Sequence, residues 1–305
     1  MVKIIIVVAF FSVLVGNVYS QQDALYSQYI FNYLVINPGY TGSRDVLSVT
    51  ALYRRQWVGI PGAPTTMTIT ADAPIANERM GVGLSVYSDK IGVTSTTGVY
   101  GNYAYRVRLT NKGTLAFGAS IGFDQYKGDF SSVFTNNSTP DQQFSGDVVT
   151  INPNVGLGLY YSTDRYYLSA SIPHIFENRL DAGVASSKSY QLKHYFLGGG
   201  YVFQLSPNYS LKPSVLIRIV EGAPIQGDFN INFWMVNRIG VGVSYRTADS
   251  FVAMLELQPT NALRFGYAYD ITTTNLSRYA GGTHEIILRY EFATNKKRIV
   301  TPRYF

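Results

Sequence analysis

The sequence contains no cysteine and only three histidines among its 305 residues. A disulfide framework, a haem attachment and a thiolate metal site are therefore excluded. Any serine-type triad would have to draw on His174, His194 or His284. Charge is scarce as well: Asp, Glu, Lys and Arg supply 14% of the residues, against about 25% in an ordinary soluble domain. After Val15 no uninterrupted apolar run reaches the ~20 residues of a membrane helix, so a membrane form of this chain must be a closed barrel. The formal charge of +6 is spread along the chain instead of gathered in a patch, which argues against a nucleic-acid partner.

What is abundant fits that barrel. There are 25 Tyr and 28 Gly. Residues 46–292 read as about 14 segments of period-two alternation, the repeated signature of an outer-membrane barrel with aromatic girdles. In Leu115, Phe117, Ala119, Ile121 and Phe123 every second residue is apolar, whereas Ala116, Gly118, Ser120, Gly122 and Asp124 fall on the other face. The same phase runs through Ile239, Val241, Val243 and Tyr245 against Gly240, Gly242, Ser244 and Arg246. It recurs in the last segment, with Ile286, Leu288, Tyr290 and Phe292 against Ile287, Arg289 and Glu291. Tight turns alternate with longer connections such as Gln125 to Thr150, His174 to Leu192 and Thr272 to Gly282. Short turns are expected at the periplasmic end and long loops outside. In the first segment Arg55 falls on the lipid side, where it is expected to sit at the external rim beside Trp57.

Residues 1–20 read as a signal peptide, with Lys3 before the apolar stretch Ile4 to Val15 and a cleavage site at Val18-Tyr19-Ser20. Residues 21–45 form a non-barrel segment, aromatic and nearly uncharged from Gln21 to Ser43, and residues 293–305 a basic periplasmic tail. The fold expected is all-β: a transmembrane antiparallel β-barrel of about 14 strands whose short N-terminal segment either plugs the lumen or lies at the periplasmic face. Tyr26, Tyr29, Phe31, Asn37, Pro38 and Tyr40 are the candidate plug or partner contacts, with Asn37 to Tyr40 read as the turn into the first strand.

The inward row carries Arg54, Arg106, Arg108, Lys212, Arg218, Asp228, Arg246, Arg264, Asp270, Arg289 and Glu291. Such a row can be a selectivity or ligand surface. It can equally be a network of ion pairs that fills the barrel, which is preferred because small barrels are commonly filled. No catalytic, cofactor or metal site is expected: the three histidines open loops or strands, and the glycine clusters Gly156-Leu157-Gly158 and Gly198-Gly199-Gly200 lie inside strands, where close packing explains them.

The segments YSQYIFNYLVINPGYTGS, YRRQWVGIPGAPTT, GTHEIILRYEF and the ending TPRYF together resemble the PorP/SprF family of type IX secretion system membrane proteins of Bacteroidetes. Asn37-Pro38-Gly39-Tyr40-Thr41-Gly42 stands where the family form is nearer NPAYAG. The resemblance implies an outer-membrane barrel that works with the secretion and gliding apparatus. It also implies export or surface attachment of a cargo with a type B C-terminal signal, such as an adhesin. The partners implied are outer-membrane lipid, that cargo, and periplasmic or lipoprotein subunits of the machinery. A passive diffusion channel or small-solute transporter is the alternative.

Overall fold

The computed structural model describes residues 25–76, 78–109, 113–132, 146–178 and 190–292. The segments read as signal peptide and basic tail lie outside them. Fifteen strand segments follow one another: β1 (Leu47–Arg55), β2 (Thr65–Ile75), β3 (Met80–Ile91), β4 (Thr94–Arg108), β5 (Gly113–Gly128), β6 (Val148–Thr163), β7 (Tyr166–Ile172), β8 (His194–Tyr201), β9 (Phe203–Ser206), β10 (Tyr209–Val220), β11 (Gln226–Met235), β12 (Ile239–Arg246), β13 (Ser250–Leu257), β14 (Leu263–Thr272) and β15 (Thr283–Phe292). β8 and β9 both pair with β10 and are two halves of one strand interrupted at Val202, whose N–H goes to the Arg165 carbonyl at 2.7 Å. The wall is thus a closed ring of fourteen antiparallel strands. Its seam joins first to last, from Leu47 opposite Phe292 to Arg55 opposite His284.

The alternation read from the sequence is the alternation of the wall. Ile121 is 70% exposed on the outer face, while its neighbour Ser120 is buried inside. Rings gather at both ends of that outer face. Tyr161, Tyr166, Tyr201 and Phe203 form a run of neighbouring rings at the end holding the short turns, and Tyr245 meets Phe251 with centroids 4.9 Å apart at the other. Arg55 is exposed at the loop end of β1, where its charge can reach water. The loop end holds a short connection as well, the two-residue Gly92-Val93 turn between β3 and β4.

A barrel interior lined by Ser, Thr and Asn has no hydrophobic core of its own. Here the core comes from the segment before β1. Tyr29, Phe31, Tyr33, Leu34, Ile36 and Tyr40 are buried against Leu52, Tyr160, Tyr167, Leu216 and Ile287 of the wall. Two short 3-10 turns, Tyr33–Val35 and Pro38–Tyr40, fold the segment inside the lumen. The wall makes room for them with glycine. A Cβ on Gly118 would collide with the Gly39 N–H, and one on Gly158 with the Asn37 carboxamide. Gly198, in the triple-glycine stretch, leaves space for the Tyr33 hydroxyl in the same way.

Gly158→Val is therefore expected to unseat the Asn37-Pro38-Gly39 stretch and to destabilise the barrel by about 1 to 3 kcal/mol. The check is a lowered temperature for the shift between folded and unfolded gel mobility, with the outward-facing Ala119→Val variant unchanged.

Candidate functional site

The N-terminal segment and the wall that receives it form the site, and it is built in three tiers. At the loop end, the Glu285 carboxylate accepts the backbone N–H of Ser27 and of Gln28, one on each oxygen, both at 2.8 Å. The Ser27 hydroxyl donates to Asp270 at 2.7 Å and accepts from Arg54 at 2.8 Å. Arg54 also bridges Glu285 at 2.9 Å and Asp270 at 2.8 Å. Beside it, Arg246 pairs with Asp228 at 2.9 Å and Asp249 at 3.2 Å and donates to the Tyr26 carbonyl at 3.3 Å. Arg54, Arg246 and Glu285 are all 1% exposed or less. Two guanidinium groups here face four carboxylates. The peptide N–H groups of the segment make up part of that deficit, so its docking completes a buried network that the wall alone leaves short of donors.

The middle tier is aromatic. Tyr33 is the hub, with ring centroids of Tyr167, Tyr160, Tyr40 and Tyr29 at 5.4, 5.6, 5.8 and 6.1 Å. The Tyr29 hydroxyl accepts from Asn230 at 2.6 Å, and Phe31 lies under the Arg289 guanidinium at 4.6 Å and near Arg264 at 5.6 Å. Such edge-on rings and cation contacts are each worth about 0.5 to 1.5 kcal/mol beyond their buried area.

At the turn end the segment is tied down by polar bonds. Asn37 donates to the Leu159 carbonyl at 2.9 Å and to Ser169 at 2.7 Å, while its carbonyl oxygen caps the second 3-10 turn through the Gly39 N–H at 2.7 Å. Asp72 accepts the Gly42 N–H at 2.8 Å, Arg44 pairs with Glu291 at 2.5 Å, and Arg106 donates to the Gly42 carbonyl at 2.7 Å and pairs with Asp45 at 2.8 Å.

Tyr26, Tyr29, Phe31, Asn37, Pro38 and Tyr40 are thus all buried inside the lumen, which places the segment inside the barrel and not beneath it. Asn37 to Tyr40 do not make the turn into β1 as the sequence suggested. They rest on β5 and β6 deep in the lumen, and the turn falls at Gly42 (φ 74) and Asp45 (φ 54). Of the inward row, Arg54, Asp228, Arg246 and Asp270 meet in the loop-end network. Arg218 stands apart, donating to Gln226 at 3.0 Å above Phe196, and Lys212 and Arg264 flank Trp234 at 4.5 and 4.8 Å. Arg108 is not a lumen residue. β4 runs past the start of β3, whose Met80 is level with Tyr105, so Arg108 emerges beyond the mouth. Its side chain is 77% exposed and pairs with Glu78 at 3.2 Å.

Sequence reasoning missed Ser27, Gln28, Arg44, Asp249 and Glu285. Glu285 shares the inward parity of Ile287 and Arg289 and could have been found from it. So could the role of Leu52 and Ile287, apolar residues breaking an otherwise polar inward row. The histidines lie far apart in the fold: His174 lies tilted against Tyr100 at 5.4 Å inside, His194 is buried at the head of β8, and His284 bonds the Tyr267 hydroxyl at 2.7 Å on the outer rim. At the loop end Lys193 pairs with Glu177 at 3.0 Å, and that carboxylate holds the ammonium above its ordinary pKa.

The family model for "Type IX secretion system membrane protein PorP/SprF" matches residues 18–290. The chain belongs to the PorP/SprF family. No curated protein matches the sequence. Among solved structures the PorP/SprF chain is similar to the Ralstonia pickettii toluene transporter TbuX, at 9% identity and TM-score 0.55, covering 86% of this chain and 93% of that one. It is also similar to the CymD monoaromatic hydrocarbon channel, at 9% identity and TM-score 0.51, covering 89% and 94%. At such identities the likeness is one of fold. Family and fold together make this an outer-membrane β-barrel of the type IX secretion system.

Arg54→Met is expected to strand Glu285 in the lumen without its cation and to leave Asp270 only the more distant Arg246, 3.8 Å away, at a cost of about 3 to 5 kcal/mol. A denaturant titration followed by tyrosine fluorescence measures it. The double variant Arg54→Met with Glu285→Gln should recover part of the loss, because one uncompensated charge is then gone.

Proposed function

We propose that this PorP/SprF barrel acts without enzymatic chemistry, as an accessory that helps a secreted protein cross, or stay attached to, the outer membrane. The observation that carries the reading is the seated N-terminal segment. A lumen crossed by buried ion pairs, a tyrosine cluster and backbone bonds is not arranged as a solute path, so the two ends of the barrel are left as its working surfaces. The external loops would meet the cargo, a protein with a type B C-terminal signal such as a surface adhesin. The turns and basic tail would meet periplasmic or lipoprotein subunits of the machinery. Gliding would follow where that adhesin is the one that moves.

The competing reading is a passive channel or small-solute transporter, and the two part in one pair of measurements. Affinity-tagged protein drawn from solubilised outer membrane is expected to bring a large surface adhesin or machinery subunits with it, and to stay closed in a planar bilayer. Steady single-channel conductance with no co-purifying partner would overturn the accessory role. Deleting Asp23 to Tyr40 is expected to leave a barrel that inserts but either leaks or loses its partner. Unchanged conductance together with unchanged partner recovery would reduce the segment to a spacer.

A further inference from the structure

The segment does not fill the lumen evenly. On the side of β2 to β5 a cavity of about 90 Å³ remains between it and the wall. One side of this space is the apolar stretch Leu34, Val35, Ile36 and Pro38. The other is made of rings, those of Tyr87, Tyr100, His174 and Phe196. None of its lining residues is Asp, Glu, Lys or Arg, in a lumen where charged side chains are otherwise frequent.

The polar groups around it are largely turned to one another. The hydroxyls of Tyr87 and Tyr100 donate to the two oxygens of Asp124 at 2.7 and 2.6 Å, and the rings stack 6.4 Å apart. Asn102 donates to Ser85 at 2.9 Å, and Tyr26 bonds Thr68 at 3.0 Å. The surface left facing the cavity is predominantly apolar, with Ser85, Asn102 and Ser120 among its polar lining. The walls are also fixed in place. The chain after β7 turns inward, where Gly156 leaves room for the Pro173 carbonyl, and Asn154 accepts the N–H groups of Ile175 and Phe176 at 3.0 Å. That puts the His174 ring 5.4 Å from Tyr100.

We propose that this cavity is a binding site for an uncharged, predominantly apolar molecule of about one ring. A volume of this order suits one small ring, and a predominantly apolar space favours a small hydrocarbon over water. The lining comes from several separate strands and the N-terminal segment, around a space whose small volume suits a free molecule better than an extended peptide. The absence of a lining charge selects against ions. Binding here leaves the segment seated and needs no open channel, so the site is independent of the accessory role proposed above.

The probe is 4-fluorophenol, titrated into the purified full-length barrel in detergent and followed by fluorine NMR. Wild-type protein is expected to give a saturable shift. Ser120→Leu, which fills the cavity from β5, and Val35→Phe, which fills it from the opposite side, are each expected to weaken binding at least about tenfold. Folded gel mobility is the control for each variant, and either one suffices. Crystals soaked in 4-iodophenol should show the iodine between Ile36 and Tyr100. A shift that never saturates, or one equal in wild type and in a folded filled variant, would reflect partition into the micelle and would overturn the proposal. So would iodine found only on the outer face.

Discussion

Inside a bilayer a backbone N–H or carbonyl without a partner costs several kcal/mol, and that constraint sets the rest of this structure in order. Closing fourteen antiparallel strands into a ring satisfies the wall. It also turns one residue in two toward the inside, where lipid cannot reach and where this chain places Ser, Thr, Asn and charged side chains. The interior must then be solvated by water or by protein. Here residues 25–45 do it, and they do it in the same terms as the wall: peptide N–H groups to Glu285 and Asp72, and a carbonyl to Arg246.

The arrangement is a division of labour between two chemistries. Charged and backbone bonds fix the segment at its two ends, while the tyrosine cluster and the wall glycines set its depth in between. A buried ion pair alone is weak evidence of stability, because desolvation offsets most of the attraction. The geometry is specific, however. Glu285 can serve Ser27, Gln28 and Arg54 together only when the segment lies in one register, and Asn37 can reach Leu159 and Ser169 only where Gly158 has no side chain. The polar bonds therefore act as register marks on a core whose bulk stabilisation comes from the rings.

Much of the wall was legible in the sequence, because lipid outside and polar contents inside impose a period of two that nothing else in the chain competes with. Strand phase, the loop ends and the position of Arg55 all follow from it. The site was legible only in outline. An aromatic segment of about twenty residues has the length to cross a lumen, but its 3-10 turns are single turns, too short to show a periodicity. Whether Asn37-Pro38-Gly39-Tyr40 turns inside or outside the barrel depends on which wall positions are glycine, and that appears only once β5 and β6 are placed beside it. Arg108 failed for a different reason. Parity says which way a side chain points, not whether the strand is still inside the barrel at that residue.

The segment also bears unequally on the wall. Its charged contacts fall mostly on β1, β14, β15 and their neighbours, joined by Arg106 of β4, and its aromatic contacts on β6, β7 and β8. Near the loop end of β3 and β4 it presents instead the side of Leu34, Val35 and Ile36, with the cavity between. In a core made only for stability, a void of that size would cost about 2 kcal/mol, at some 24 cal/mol per Å³. Small wall residues such as Ser85 and Ser120 leave it open although larger side chains at those positions could fill it. The rings around it are held by Asp124, a buried carboxylate that faces the hydroxyls of Tyr87 and Tyr100 and the carboxamide of Gln191. A wall braced in this way holds the space open, as the proposed binding cavity requires and a packing defect does not.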